Sequence, residues 1–239
     1  MKSNRLHFLI TAGGTREYID PVRFITNASS GKMGFALAQA ALNAGHKVTL
    51  ISTLLCHFER SPDVSGRSRE ISFCRVGFSP RGNFLIIYVE TAEQMFEAVK
   101  KYFKQCDCLI MAAAVADYTP AEKSKTKIKK SNKDLIIRLK PTVDILKWAG
   151  KNKKENQIVV GFALEDRNLR ENAEKKLEEK NLDMIIANAP SSIGASNTEV
   201  QIKTTGGKWL KIQSAAKTAV ARQIINLMEN LCSRIPKTH

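Results

Sequence analysis

The sequence predicts an α/β fold: a doubly wound, mostly parallel sheet with helices on both faces and a late β-hairpin. Three observations predict it. Apolar runs of strand length alternate with helical stretches from residue 6 to residue 231. The first run leads into a long loop bearing Gly and Ser, and that loop opens a helix, the order of elements that builds an anion site. Near the C-terminus, Gly206-Gly207 separates two strand-like runs, which is a hairpin signal.

In chain order, LHFLI (6–10) reads as a buried strand and 11–31 as the loop after it. KMGFALAQAALNA (32–44) is a helix whose apolar face carries Met33, Leu37, Ala40, Ala41 and Ala44, and Gly45 stops it. KVTLIS (47–52) is the second strand; strand, helix and strand in this order join parallel neighbours. Residues 53–83, rich in Arg, Ser, Gly and Pro, form an irregular excursion with one short strand at 71–76. FLIIYV (84–89) is a strand, 92–104 a helix with Thr91 as its N-cap, and DCLIMAA (107–113) a strand. A polar, lysine-rich flap follows at 121–133, then a strand at 135–139 and a short helix at 143–149. IVVGFA (158–163) and DMIIA (183–187) are buried strands flanking a charged helix at 169–180. The runs 199–203 and 209–212 flank the glycine pair, and a helix at 215–231 closes the pattern. No repeat or linker interrupts it, so residues 1–239 read as one Rossmann-like domain.

Composition narrows the function. The longest unbroken apolar run, 108–116, is far short of a membrane span, and the N-terminal apolar run is too short for a signal peptide, so the expected location is cytoplasmic. Five cysteines (56, 74, 106, 108, 232) form no CxxC pair and no Cys/His cluster, which fits reduced, mostly buried thiols. The net charge of +15 invites a nucleic-acid reading. Nine of those charges sit in 122–154, however, where Trp148 is the sole aromatic residue and no base-stacking platform exists. A local positive segment opposite a Gly-rich loop suits a polyphosphate ligand at least as well.

In such sheets the ligand lies beyond the carboxyl ends of the strands. Four of those ends stand out, at 11–15, 112–117, 161–163 and 187–188, and the first two combine small residues with a polar group, so that backbone can approach a ligand closely. Two common phosphate motifs fail. A Walker A loop ending at Gly31-Lys32 would need Gly where Thr26 stands and Ser or Thr where Met33 stands. The dinucleotide fingerprint fails because Gly13-Gly14 is followed by Thr15-Arg16-Glu17. Four histidines (7, 46, 57, 239) offer no Ser/His/Asp pattern.

The stretches TAGGTREYIDPVRFITNASSGKMG, AAAVADYTP, KIKK, VGFALED and KKLEEKNLDMIIAN together resemble phosphopantothenoylcysteine synthetase, the bacterial ligase of coenzyme A synthesis. The resemblance runs in order from about residue 6 to 231, except for 53 to roughly 88. It implies a stand-alone synthetase, without the flavin-dependent decarboxylase domain that precedes it in many bacteria, and hence no flavin. It further implies substrates 4'-phosphopantothenate, CTP and L-cysteine, Mg²⁺ accompanying CTP, a homodimer, and no nucleic-acid or membrane partner. The phosphopantothenate carboxylate would attack the α-phosphorus of CTP with release of pyrophosphate, and the cysteine amine would then displace CMP to form an amide.

By motif position the resemblance assigns Asn27 to the acyl group and intermediate, and Lys127 to the triphosphate. It puts the substrate phosphate near Ser29, Ser30, Gly31 and Lys32, with Gly13 and Gly14 in the same substrate loop. The nucleotide falls to Ala113, Asp117, Phe162, Lys176 and Lys180, with Thr142, Val143, Asp144 and Ile145 at the position where the family commonly reads Asn-Pro-Asp-Ile. No metal ligand is assigned. The alternatives are a Rossmann-like NADP-binding oxidoreductase and, behind it, a nucleic-acid-binding module.

Overall fold

The computed structural model describes residues 5–54, 76–78, 82–192 and 195–234. Its core is six parallel strands: β1 (His7–Ala12), β4 (Lys47–Ser52), β6 (Phe84–Tyr88), β7 (Cys108–Met111), β10 (Ile158–Leu164) and β11 (Met184–Asn188). In space they run β6-β4-β1-β7-β10-β11, so the chain winds outward one way from β1, then returns to β7 and winds the other way. The switch point lies between β1 and β7, where ligand crevices form in sheets of this order. Three antiparallel strands complete the sheet: β5 (Val76–Phe78) beyond β6, then β12 (Asn197–Thr204) and β13 (Leu210–Ala216) beyond β11.

Side-chain alternation builds two cores. Phe8, Ile10 and Ala12 of β1 face one side, with Val48 and Leu50 of β4 and Ile158 and Val160 of β10. That side is covered by α1 (Lys32–Asn43) and α5 (Lys217–Arg234), through Leu37, Ala41, Val220 and Ile224. Leu9, Ile51, Leu109 and Val159 face the other side, under α2 (Ala92–Phe103), α3 (Ile145–Asn152) and α4 (Leu169–Glu179). Strands buried on both faces read as continuous apolar runs, which is why they stand out in the sequence.

Each predicted strand of the parallel core exists, and KVTLIS occupies 47–52 as expected. α2 starts at a capping box: Gln94 N donates to Thr91 Oγ1 at 3.2 Å while the Gln94 side chain takes the Thr91 N–H.

Three expectations need correction. Residues 11–31, expected as a loop, hold a two-stranded ribbon, β2 (Arg16–Tyr18) with β3 (Phe24–Thr26). The strand expected at 135–139 survives only as β9 (Leu139–Pro141), which pairs with an unforeseen β8 (Tyr118–Pro120). Residues 135–138 lie outside any strand, with Ile136 91% exposed; apolar composition there marks surface, not core. The short helix begins at Ile145, because Asp144 caps it, accepting from Lys147 N at 2.9 Å. Most of the 53–83 excursion lies outside the described residues, as does the start of the strand expected at 71–76.

Candidate functional site

The exit loops of β1 and β7 are laced together. Ala114 N donates to Gly13 O at 2.8 Å and Thr15 N to Ala114 O at 3.2 Å, while Ala116 N donates to Thr15 Oγ1 at 2.9 Å. Gly13, at φ +89°, also lets the loop pack against the β4 exit, since a Cβ there would sit 2.1 Å from Thr53 Oγ1. Lacing closes the switch point at its base. The open space lies just above it, as a cleft of about 570 Å³ bounded by the start of α1, the exits of β7 and β10, and the starts of α3 and α5.

Most of the sequence-predicted residues meet on this one wall. Asn27, Ser29, Ser30, Gly31 and Lys32 line it from the first loop, Ala113 and Asp117 from the β7 exit. Thr142, Val143, Asp144 and Ile145 enter with the start of α3, Phe162 from β10, and Lys176 and Lys180 from α4. Three predicted residues are not brought to it: Gly13 and Gly14 lie behind the loop as packing positions, and Lys127 is exposed on the flap.

Local chemistry explains the arrangement. α1 begins at Gly31 with φ +68° and no side-chain cap, so its N-terminal dipole faces the cleft. Asn27 crosses the switch point, donating through Nδ2 to Ala114 O at 3.3 Å and Val115 O at 3.1 Å. Thr142 fastens the α3 approach to the same loop, with Oγ1 donating to Ala116 O at 2.6 Å and its N–H to Asp117 O at 2.9 Å. Phe162 shares the sheet face of α1 and α5 and is half-buried, leaving ring surface toward the cleft.

Four lysines and two carboxylates line the cleft, so its field favours anions. Lys176 Nζ lies 2.6 Å from Glu165 Oε1, and Lys180 Nζ lies 2.9 Å from Asp144 Oδ2. An ammonium has three donors, so each lysine keeps capacity for a phosphate oxygen. Burial pushes the Asp144 carboxyl up, but the Lys147 N–H and the Lys180 ammonium outweigh it and hold its pKa below the ordinary value. Lys217, at the start of α5, is the cation that sequence reasoning missed. Burial, with the Lys32 charge beside it, holds the Lys217 ammonium below the usual lysine range. No local motif marks Lys217; it reaches the cleft because α5 packs on α1. Among the described residues no group of three His, Cys, Asp or Glu could hold a metal ion, and no helix is long and apolar enough to cross a membrane.

A family model described as the DNA/pantothenate metabolism flavoprotein C-terminal domain matches residues 3–68 and 73–231. The coenzyme A biosynthesis bifunctional protein CoaBC of Bacillus subtilis is 46% identical over 189 residues, 79% of this chain and 41% of that protein. A protein named cysteine/cysteine sulfinic acid decarboxylase, from an unknown prokaryotic organism, is 43% identical over 192 residues, 80% of this chain and 48% of that one. The chain thus spans about half the length of the curated relatives it matches. Among solved structures, the crystal structure of the C-terminal domain of CoaBC is 35% identical, with a TM-score of 0.74 over 98% of this chain and 99% of that one.

Proposed function

The chain belongs to the family of the DNA/pantothenate metabolism flavoprotein C-terminal domain, and on that premise we propose that it is a CTP-dependent phosphopantothenate–cysteine ligase of coenzyme A biosynthesis. The observation that carries the reading is one cleft in which an uncapped helix start, Asn27 and four lysines converge. Two polyanions must meet for this reaction, and the cleft supplies backbone dipole and cations at both ends of it.

In the first step a phosphopantothenate carboxylate oxygen bonds to the α-phosphorus of CTP, and the bond from that phosphorus to pyrophosphate breaks. Ser29, Ser30, Gly31 and Lys32 hold the substrate phosphate at the α1 start, and Asn27 orients the acyl group between the two loops. Asp117, Phe162 and the 142–145 corner hold the nucleotide, while Lys176, Lys180 and Lys127 offset the triphosphate charge. In the second step the cysteine amine attacks the acyl carbon, loses a proton and expels CMP. Mg²⁺ arrives with CTP as part of the co-substrate. Asp144 is already paired with Lys180, which leaves Asp117 the unpaired cleft carboxylate among the described residues, a donor set suited to a cation carried on phosphate oxygens.

A homodimer of cytoplasmic, single-domain chains belongs to this reading. Val22, Phe24, Ile25, Tyr118 and Leu139 are exposed on the β2–β3 and β8–β9 ribbons, an apolar surface suited to a second copy. The 121–133 flap leaves the β8–β9 ribbon, and in this reading a second copy seated there receives Lys127 at its cleft. An NADP-binding oxidoreductase is not favoured, because the first loop lacks the dinucleotide fingerprint. The test is pyrophosphate release from phosphopantothenate with CTP, ATP, GTP or UTP in turn. Release with CTP is expected; no release with any nucleotide overturns the reading.

A further inference from the structure

The 121–133 flap has no regular structure, yet it is fastened to the turn between β2 and β3. Ser124 N donates to Ile19 O at 2.9 Å. The stronger anchor is at Ile128. Asp20 Oδ2 accepts from Ile128 N at 3.1 Å, while the Arg23 guanidinium donates to Ile128 O, so both polar groups of that residue are held. Arg23 Nε also lies 3.4 Å from Asp20 Oδ2, which locks the two side chains together. The other carboxylate oxygen is committed to the turn, accepting from Val22 N and Arg23 N at 2.8 Å each. The Asp20 side chain is wholly buried.

A buried carboxylate is costly unless fully bonded, and this one is. Its bonding joins residues more than a hundred positions apart in sequence, one of them next to Lys127. A segment carrying so many like charges would otherwise repel itself and sample many conformations. We propose that Asp20 is a positioning residue: it clamps the Ile128 peptide to the substrate-loop ribbon and thereby sets the point from which Lys127 reaches the triphosphate. The consequence for catalysis rests on the ligase reading; the clamp itself does not. Fixing the flap in advance removes ordering cost from the nucleotide step.

Asp20→Asn separates the two jobs of the carboxylate. The amide oxygen can still serve the Val22 and Arg23 N–H groups, but the amide nitrogen would face the Ile128 N–H, donor against donor. The variant is expected to keep its fold by circular dichroism, and trypsin should cut it within 121–133 at least about tenfold faster than the parent. Its kcat/KM for CTP should fall at least about tenfold while KM for phosphopantothenate stays within about twofold; a general loss of structure would disturb both substrates alike. Unchanged tryptic cutting of the flap overturns the clamp. A loosened flap with unchanged kcat/KM for CTP overturns the positioning role. If the parent itself releases no pyrophosphate, the ligase reading fails, and trypsin still judges the clamp. Should the variant not fold, hydrogen exchange in the parent decides: the Ile128 amide should exchange at least about tenfold more slowly than those of Lys127 and Lys129, and equal rates overturn the proposal.

Discussion

Lys180 and Asp144 form an ion pair, Nζ to Oδ2 at 2.9 Å, that joins the C-cap of α4 to the N-cap of α3 across the floor of the cleft. The same carboxylate caps α3 through its other oxygen, accepting from Lys147 N. One side chain thus aligns two helices whose ends both face the proposed nucleotide.

The two tasks of Asp144 can be separated. Asn keeps the cap and loses the charge, whereas Ala loses both. Asp144→Ala is therefore expected to cost about 1 kcal/mol more than Asp144→Asn in urea unfolding; equal losses would reject the capping role. The pH dependence has a definite sign. The folded Asp144 pKa lies below its ordinary value, so the pair's contribution is present above the unfolded carboxylate value, about 3.9, and is lost as pH falls through the folded one. The stability gap between parent and Asp144→Asn should be open at neutral pH and close in acid. A gap that widened on acidification would contradict this.

Lys127 is exposed and away from its own cleft. Lys127→Ala should therefore change unfolding stability by less than about 0.5 kcal/mol. Its effect should appear in chemistry, with pyrophosphate release at least about tenfold slower, equal to about 1.4 kcal/mol in the barrier. Parent-like release removes Lys127 from the reaction.

Most of the parallel core was legible because its strands are buried on both faces and bounded by Gly or polar residues, as KVTLIS and IVVGFA are, while half-buried FLIIY was legible from its apolar run alone. The ribbons were not. β3 is exposed at all three residues, so it leaves no burial period to read. The site was legible only as far as motifs run: Asp117, Phe162, Lys176 and Lys180 come from three separate stretches yet line one cleft. Gly13 and Gly14 read as members of the substrate loop, whereas the structure sets them in close packing against Thr53 and Asn27, which spacing alone does not distinguish. Lys217 and the Asp20–Ile128 clamp depend on tertiary packing between distant segments and carry no local signal.

Asn27 donates to two carbonyl oxygens of the β7 exit loop. Asn27→Asp sets a carboxylate against those acceptors and beside an anionic substrate. Because Asn27 is exposed, the expected cost is about 0.5–1.5 kcal/mol of stability, with kcat/KM for phosphopantothenate lowered at least about tenfold. Asn27→Ala loses the bonds without adding charge and should be milder in kcat/KM. If the two variants match, charge is not the cause of the loss.

Gly150, near the end of α3, connects packing to the site most directly. A Cβ added there would sit 1.8 Å from Lys180 O and 3.0 Å from Asn181 O, both backbone atoms that cannot rotate away. The contact is also bonded, since Asn181 Nδ2 donates to Gly150 O at 2.8 Å. Gly150→Ala must therefore push the end of α4 from α3, at a cost of about 1–3 kcal/mol for overpacking. Lys180 moves with that backbone, and the ion pair to Asp144 lengthens or breaks. The variant should lose nucleotide affinity beyond what its stability loss explains: KM for CTP should rise severalfold at a temperature where the protein remains folded, while KM for phosphopantothenate holds. Lys180→Met provides the comparison, because it removes the ammonium without disturbing the helix contact. If Gly150→Ala weakens CTP binding and Lys180→Met does not, the effect belongs to another part of the α4 end, and Lys180 leaves the nucleotide site.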